Sequence, residues 1–107
     1  MTDRELLEAA ADAAGVASDG LGGCYDMERE AAWNPLEDDG DALRLAVKLG
    51  ISIEVHHDSA QPKAWLRVVY FSTCWVHAMV DEYEKEPYAA TRRAIVRAAA
   101  EIGRAKP

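Results

Sequence analysis

One stretch, residues 33–50, limits the possible folds more than any other part of the chain. It reads WNPLEDDGDALRLAVKLG and combines a proline turn, an acidic helix start, an apolar helix and a final glycine. Pro35 restricts its own backbone angle and biases Asn34 toward extended geometry. Gly50 is typical of a helix end. The stretch therefore predicts a turn, then a helix, then a change of direction.

The helix in this stretch is predicted to be largely buried. At its start, Asp38 or Asp39 can accept hydrogen bonds from unpaired amide groups, and Asp41 lies in the first turn, where negative charge is favourable. Apolar side chains cover a wide arc, which is typical of a helix that packs on more than one side. They are Ala42, Leu43, Leu45, Ala46, Val47 and Leu49, whereas Arg44 and Lys48 mark the solvent face.

Two further helices are predicted near the ends of the chain. The first starts near Thr2, which forms a capping-box pattern with Glu5, and stops at Gly15. The last begins at Pro87, because proline suits a first helical position, and Gly103 is expected to close it. Helical spacing groups Leu6, Leu7, Ala10, Ala11 and Ala14 in the first helix, and Tyr88, Thr91, Ile95, Ala98, Ala99 and Ile102 in the last.

Residues 51–56 alternate apolar and polar side chains directly after the second helix. This alternation, with β-branched residues, predicts a half-buried strand. Ile51, Ile53 and Val55 are expected on its buried face.

Two more strands are predicted at residues 64–71 and 74–80, the former paired with the preceding strand in an antiparallel hairpin. A helix from about residue 75 to 83 is the alternative for the last strand. Residues 16–32 favour a hairpin, with a short helix over 26–32 as the alternative. Helices flanking a small antiparallel sheet of three to four strands indicate one α+β domain over the 107 residues.

The net charge of −7 constrains the partners of this protein. Nucleic-acid binding requires clustered lysine and arginine, so no direct nucleic-acid contact is expected. The simplest role of the acidic excess is solubility, and an acidic surface for a basic partner is the alternative.

No apolar run reaches the roughly 20 residues of a membrane span. No secretory signal is recognisable, so a cytoplasmic protein with reduced thiols is expected.

The acidic run at residues 37–41 resembles a metal site only superficially. An EF-hand loop needs a ligand at its third position, where counting from Asp38 gives Gly40. Helix capping explains the presence of the same aspartates.

His56 and His57 adjoin on a strand and point to opposite faces. Their spacing from other histidines and cysteines is not a zinc pattern. The sequence predicts neither a metal nor a cofactor.

Cys74 is predicted to be a buried, apolar thiol in the third strand. A cysteine–histidine dyad with His77 requires the helical alternative, because residues three apart on a strand lie on opposite faces. No catalytic residue is assigned on this basis.

The last helix carries the main basic feature of the sequence. Its arginines can contact an acidic partner or a phosphate, or form a solvated face paired with the acidic connector that ends at Glu86. The candidate partner-contact residues are Arg92, Arg93, Arg97, Asp81, Glu82 and Glu84.

Residues 33–49 and 89–103, together with residues 4–7 and 13–15, resemble the phage ABA sandwich domain family of small phage and prophage proteins. The resemblance implies an α/β/α sandwich and a protein encoded by a bacteriophage or prophage that acts in the bacterial cytoplasm. The shared residues are capping and packing residues, so no catalytic residue carries over. The intervening segments diverge from the family, and no site there is transferable.

Three functional hypotheses are consistent with these observations. The first is a non-enzymatic phage accessory protein that binds a host or phage macromolecule, in a narrower form an anti-defence inhibitor offering an acidic surface to a nucleic-acid-binding host protein. The second is a small ligand-binding or enzymatic domain that uses Cys74 and His77. The third is a homodimer assembled through a sheet edge.

Overall fold

The computed structural model of the protein describes residues 2–18, 23–57, 64–70, 74–78 and 85–105, with the backbone alone at residues 57, 64, 65, 75, 77 and 78. These residues form three helices and two antiparallel three-stranded sheets, which confirms the predicted α+β class. The helices are α1 (Asp3–Ala14), α2 (Asp39–Leu49) and α3 (Pro87–Arg104). The strands are β1 (Ala17–Ser18), β2 (Cys24–Asp26), β3 (Ala31–Ala32), β4 (Ser52–His57), β5 (Ala64–Tyr70) and β6 (Cys74–Ala78).

The first two helices begin and end where the sequence predicts. The Thr2 hydroxyl accepts from the Glu5 N–H at 3.1 Å, so the N-terminal signal of α1 is confirmed. Asp38 caps α2 by accepting, at 2.8 Å, from the N–H three residues further on. Gly15 and Gly50 end α1 and α2 with φ angles of 71° and 67°, a left-handed conformation that side chains with a Cβ disfavour.

The predicted hairpin within residues 16–32 is confirmed as β2 and β3, and β1 pairs with β2 to complete the small sheet. The alternative helix over 26–32 is wrong, because Asp26 closes a turn instead. Its Oδ1 accepts from the N–H groups of Glu28 at 3.0 Å and Arg29 at 3.3 Å. Glu30 completes the turn with a φ of 53°.

The second sheet has the order β4-β5-β6, with all pairs antiparallel, and confirms the predicted hairpin and third strand. Val68 in the central strand lies opposite Ile53 on one side and Val76 on the other. The helical alternative for residues 75–83 is therefore wrong over residues 75–78, because their backbone pairs with β5. Residues 79–83 lie outside the described residues.

Helix α3 is the central packing element of the protein. It packs against β5 and β6 and also contacts α1 and α2. Gly103 was expected to end this helix, but it lies inside the last turn, where a Cβ would overlap the carbonyl oxygen of Ala9 in α1. The predicted apolar face of α1 is buried, as is Trp33. The larger buried side chains of the core include Leu6, Leu7, Trp33, Leu45, Leu66, Val68, Ile95 and Val96.

The prediction that α2 is buried over a wide arc is wrong on one side. Ala42, Leu45 and Ala46 are buried, but Leu43 and Val47 are 59% and 74% exposed. The reason is that α2 packs on α3 and α1 through one face. The arc that carries Leu43 and Val47 is left open to solvent.

The predicted buried face of the strand at residues 51–56 is only partly correct. Ile51 is buried, whereas Ile53 and Val55 are 40% and 48% exposed. Cross-strand partners share a face of a sheet, so Ile53 and Val55 lie on the same face as buried Val68 and Leu66. Helix α3 covers that face at β5 and β6. The apolar side chains of edge strand β4 therefore extend beyond the covered part of the sheet.

Candidate functional site

Asp41 is a buried carboxylate that joins α2 to the segment before it. Asp41 is only 4% exposed. One oxygen accepts from the Asn34 N–H at 2.9 Å, and the other accepts from Arg29 Nη1 at 3.1 Å and Arg44 Nη2 at 2.7 Å. Buried charge is stable when it is paired and hydrogen-bonded in this way. The sequence predicts only that Asp41 lies in the first turn of α2, because no local pattern connects it to the distant Arg29.

The acidic run at residues 37–41 serves folding, as the capping interpretation predicted. Asp38 caps α2, Asp41 forms the buried network, and Asp39 Oδ1 accepts from Arg92 Nη1 of α3 at 2.6 Å. In the described ranges, no group of three or more His, Cys, Asp or Glu side chains is arranged to hold a metal ion. Each of these three aspartates thus has an identified structural partner.

The prediction that Cys74 is buried is wrong: Cys74 is exposed on β6, and Cys24 is the buried thiol. The arrangement that would make His77 its helical neighbour does not occur, because β6 is a strand. The His77 side chain lies outside the described residues. Opposite Cys74 is Tyr70, whose pKa is raised by burial, with a smaller contribution from the charges of Cys74 and Glu101. The Tyr70 hydroxyl therefore stays protonated at neutral pH and is not poised as a base.

Glu54 forms a charged cluster on β4 and β5. Its Oε1 accepts from Arg67 Nη2 at 2.6 Å and from His56 Nε2 at 2.9 Å. The hydrogen bonds from His56 and then Arg67 lower the pKa of Glu54, so it is ionised at neutral pH and is not a general acid. Arg67 alternates with buried Leu66 and Val68, which places this cluster on the sheet face opposite α3.

Two of the three arginines proposed as partner contacts, Arg92 and Arg93, connect helices. Arg92 Nε donates to the Leu36 carbonyl at 2.9 Å while its guanidinium also binds Asp39. Arg93 Nη2 donates to Asp3 Oδ1 of α1 at 2.6 Å. Their predicted role in binding a partner stays a prediction. Arg97 is exposed on α3, and Asp81, Glu82 and Glu84 lie outside the described residues.

Two cavities among the described residues include charged side chains in their walls. One, of about 160 Å³, lies between α2 and the β2–β3 turn, but its guanidinium groups, Arg29 and Arg44, already bind Asp41. The other, of about 360 Å³, lies at the starts of α1 and α3, beside the Asp3–Arg93 ion pair. In both cavities, an arginine of the wall connects secondary-structure elements through an ion pair.

A third cavity, of about 280 Å³, is an apolar groove between α2, β4 and α3. Leu43, Ile53 and Tyr88 line it, and Tyr88 is 74% exposed. Val47 lies one helical turn from Leu43, and Val55 lies two residues from Ile53 on the same face of β4. We call Leu43, Val47, Ile53, Val55 and Tyr88 the apolar strip.

The apolar strip is suited to contact with another apolar surface. Contiguous exposed apolar side chains on a folded protein are typical of interaction sites. The charged groups beside the groove, Asp39 and Arg92, are engaged with each other. The sequence contained one signal for the strip: the apolar arc of α2 is wider than a single packing face can bury.

A scan against protein-family models, a search of curated proteins and a search of solved structures each found no match for this chain. Among the helices that the structure describes, none is long and apolar enough to cross a membrane.

Proposed function

We propose that this protein is a non-enzymatic accessory protein, encoded by a phage or prophage, that binds another protein in the bacterial cytoplasm. The apolar strip is the proposed contact surface. The phage origin and the cytoplasmic location rest on the resemblance of residues 33–49 and 89–103 to the phage ABA sandwich domain family.

The single observation that supports binding is the exposure of the strip. Leu43 and Val47 lie on a helix whose opposite face is buried, and Ile53 and Val55 lie on the core-facing side of a sheet. Full burial of a completely exposed side chain of this size is favourable by about 1.5–3 kcal/mol, and the exposed part of each strip residue contributes a share of that. When a partner covers the strip, this burial stabilises the complex.

The acidic-surface alternative has less support. Asp3, Asp39, Asp41 and Glu54 each form an ion pair with an arginine. These pairs are spread over all three helices and the second sheet. These carboxylates are engaged within the fold and are not gathered on one face, so the strip is the stronger candidate surface.

Affinity capture with matched baits tests the proposal. Val47→Lys places a charge in the strip at a helical position that lysine tolerates. Met27→Lys makes the same chemical change at another exposed apolar residue, in the β2–β3 turn. We expect a protein of the bacterial host or the phage, or an untagged copy of this chain, to co-purify with wild type and Met27→Lys. Recovery with Val47→Lys should fall by about tenfold or more.

One result of the capture experiment would contradict the proposed binding surface. If all three baits retain the same proteins in the same amounts, the strip is not the binding surface. Circular dichroism of each bait establishes that the variants are folded before the profiles are compared.

A further inference from the structure

Strand β4 is an edge strand that lies directly beside the apolar strip. The order β4-β5-β6 gives it β5 as its neighbour on one side only, within the described residues. Edge strands usually carry devices that prevent further pairing, such as prolines, bulges or inward-pointing charges. β4 is instead six residues long, contains no proline, and directs apolar Ile53 and Val55 toward the helix side.

We propose that the partner of the apolar strip is a second copy of this chain, and that two β4 strands pair antiparallel about a two-fold axis to form one continuous six-stranded sheet. This inference rests on the proposed protein-binding function and names its partner. The two-fold axis is perpendicular to the sheet, because only then do antiparallel copies keep the same face toward their helices.

The sequence of β4 selects the register of this pairing. An axis at Val55 pairs residues 53–57, places Val55 against Val55, and brings Glu54 opposite His56 in both directions. An axis at Glu54 places two carboxylates directly opposite each other, which is destabilising. An axis at Ile53 leaves only residues 52–54 of β4 paired. The register centred on Val55 therefore combines a long ladder with a carboxylate opposite an imidazole, a pair that can hydrogen-bond.

The same arrangement also covers the part of the strip that lies on α2. Both copies of α2 then lie on one side of the continuous sheet, on either side of the axis. Leu43, which lines the groove together with Ile53, is brought beside the β4–β4 junction, and Val47 lies one helical turn from it. Ile53 and Val55 fill the space beneath them. A second copy thus covers both the strand edge and the helix face with one symmetric contact.

Sedimentation of the full chain from low micromolar to millimolar concentration tests this inference. We expect a monomer–dimer equilibrium that Val55→Lys weakens by at least about tenfold, because two lysines would meet at the axis. Val47→Lys, on α2, should weaken it independently of any effect on the strand. Met27→Lys should leave the dissociation constant unchanged. A monomer throughout this range, or a dimer insensitive to both strip variants, would overturn the inference.

Cross-linking tests the register itself. In a Cys74→Ser background, Val55→Cys should form an intermolecular disulfide on mild oxidation, because a residue on the axis faces its own copy. Ile53→Cys, two residues off the axis, should not. Efficient cross-linking of Ile53→Cys with none at Val55→Cys would contradict the register centred on Val55.

The two proposals fail in different ways. If the protein is monomeric but its capture of another protein depends on Val47, the proposed dimer is wrong and the proposed binding function is retained. A monomeric protein with no Val47-dependent partner overturns both.

Discussion

At the scale of single residues, Asp41 connects parts of the chain that no local pattern relates. Its carboxylate binds Arg44 one turn along α2, Arg29 in the β2–β3 turn, and the backbone of Asn34. These contacts hold the small sheet against α2. Loss of a buried carboxylate that accepts three hydrogen bonds costs more than the loss of an exposed ion pair.

We therefore expect Asp41→Ala to lower the free energy of unfolding by about 2–3 kcal/mol. Asp39→Ala is the matched control, since Asp39 also lies in the first turn of α2 and pairs with an arginine, but is exposed. Its cost should stay below about 1 kcal/mol. Urea denaturation measures both, and equal costs for the two variants would contradict the assigned role of Asp41.

At the scale of elements, the contact of α1 with α3 depends on small side chains. Ala10, Ala13 and Ala14 of α1 are buried, and Gly103 of α3 lies against the backbone of α1. A Cβ at Gly103 would overlap the Ala9 carbonyl oxygen and lie 3.4 Å from the Ala13 nitrogen. The two helices cannot relax locally around this point, because backbone atoms form the contact.

Gly103→Ala should therefore destabilise the protein by about 1–3 kcal/mol, although alanine is the better helix former. Arg97→Ala, at an exposed position of the same helix, should change stability by less than about 0.5 kcal/mol. Thermal and urea unfolding provide the comparison. A stabilising effect of Gly103→Ala would show that the helices are further apart than the structure places them.

At the scale of the whole molecule, the fold is held by packing without a disulfide. Cys24 belongs to the apolar core, whereas Cys74 is exposed on an edge strand, and neither forms a disulfide. The two thiols therefore report different events. Reaction of Cys74 needs no opening of the structure, and reaction of Cys24 requires unfolding of the region around it.

With a thiol reagent in native buffer, we expect one thiol to react rapidly and the second to react only as denaturant unfolds the protein. Cys74→Ser should remove the fast phase and Cys24→Ser the slow one. If Cys24 reacts in native buffer as fast as Cys74, the core does not enclose it as described. The proposed pairing of two β4 strands does not change the expected reactivity of either thiol, because Cys74 lies on β6 at the opposite edge of the sheet.

Much of the local structure could be predicted from the sequence because its causes are local. Thr2 and Asp38 cap helices through neighbours three residues away, and Gly15 and Gly50 end them because of their own backbone freedom. The alternation in residues 51–56 established a strand. What it could not establish was burial, because Ile53 has the same pattern whether a helix covers it or not.

The sequence by itself determined the α+β class, the positions of the helices and the second sheet, and the absence of any strong catalytic pattern. Only the tertiary structure decided which apolar faces are covered. α3 packs over β5 and β6 and against one face of α2, so Leu43, Val47, Ile53 and Val55 remain exposed. Hydrophobic residues signal a tendency to be buried, but the element that covers them is set by long-range packing. For the same reason, the stretch at residues 33–50 predicted a buried helix, and α2 instead supplies two of the five residues of the candidate binding surface.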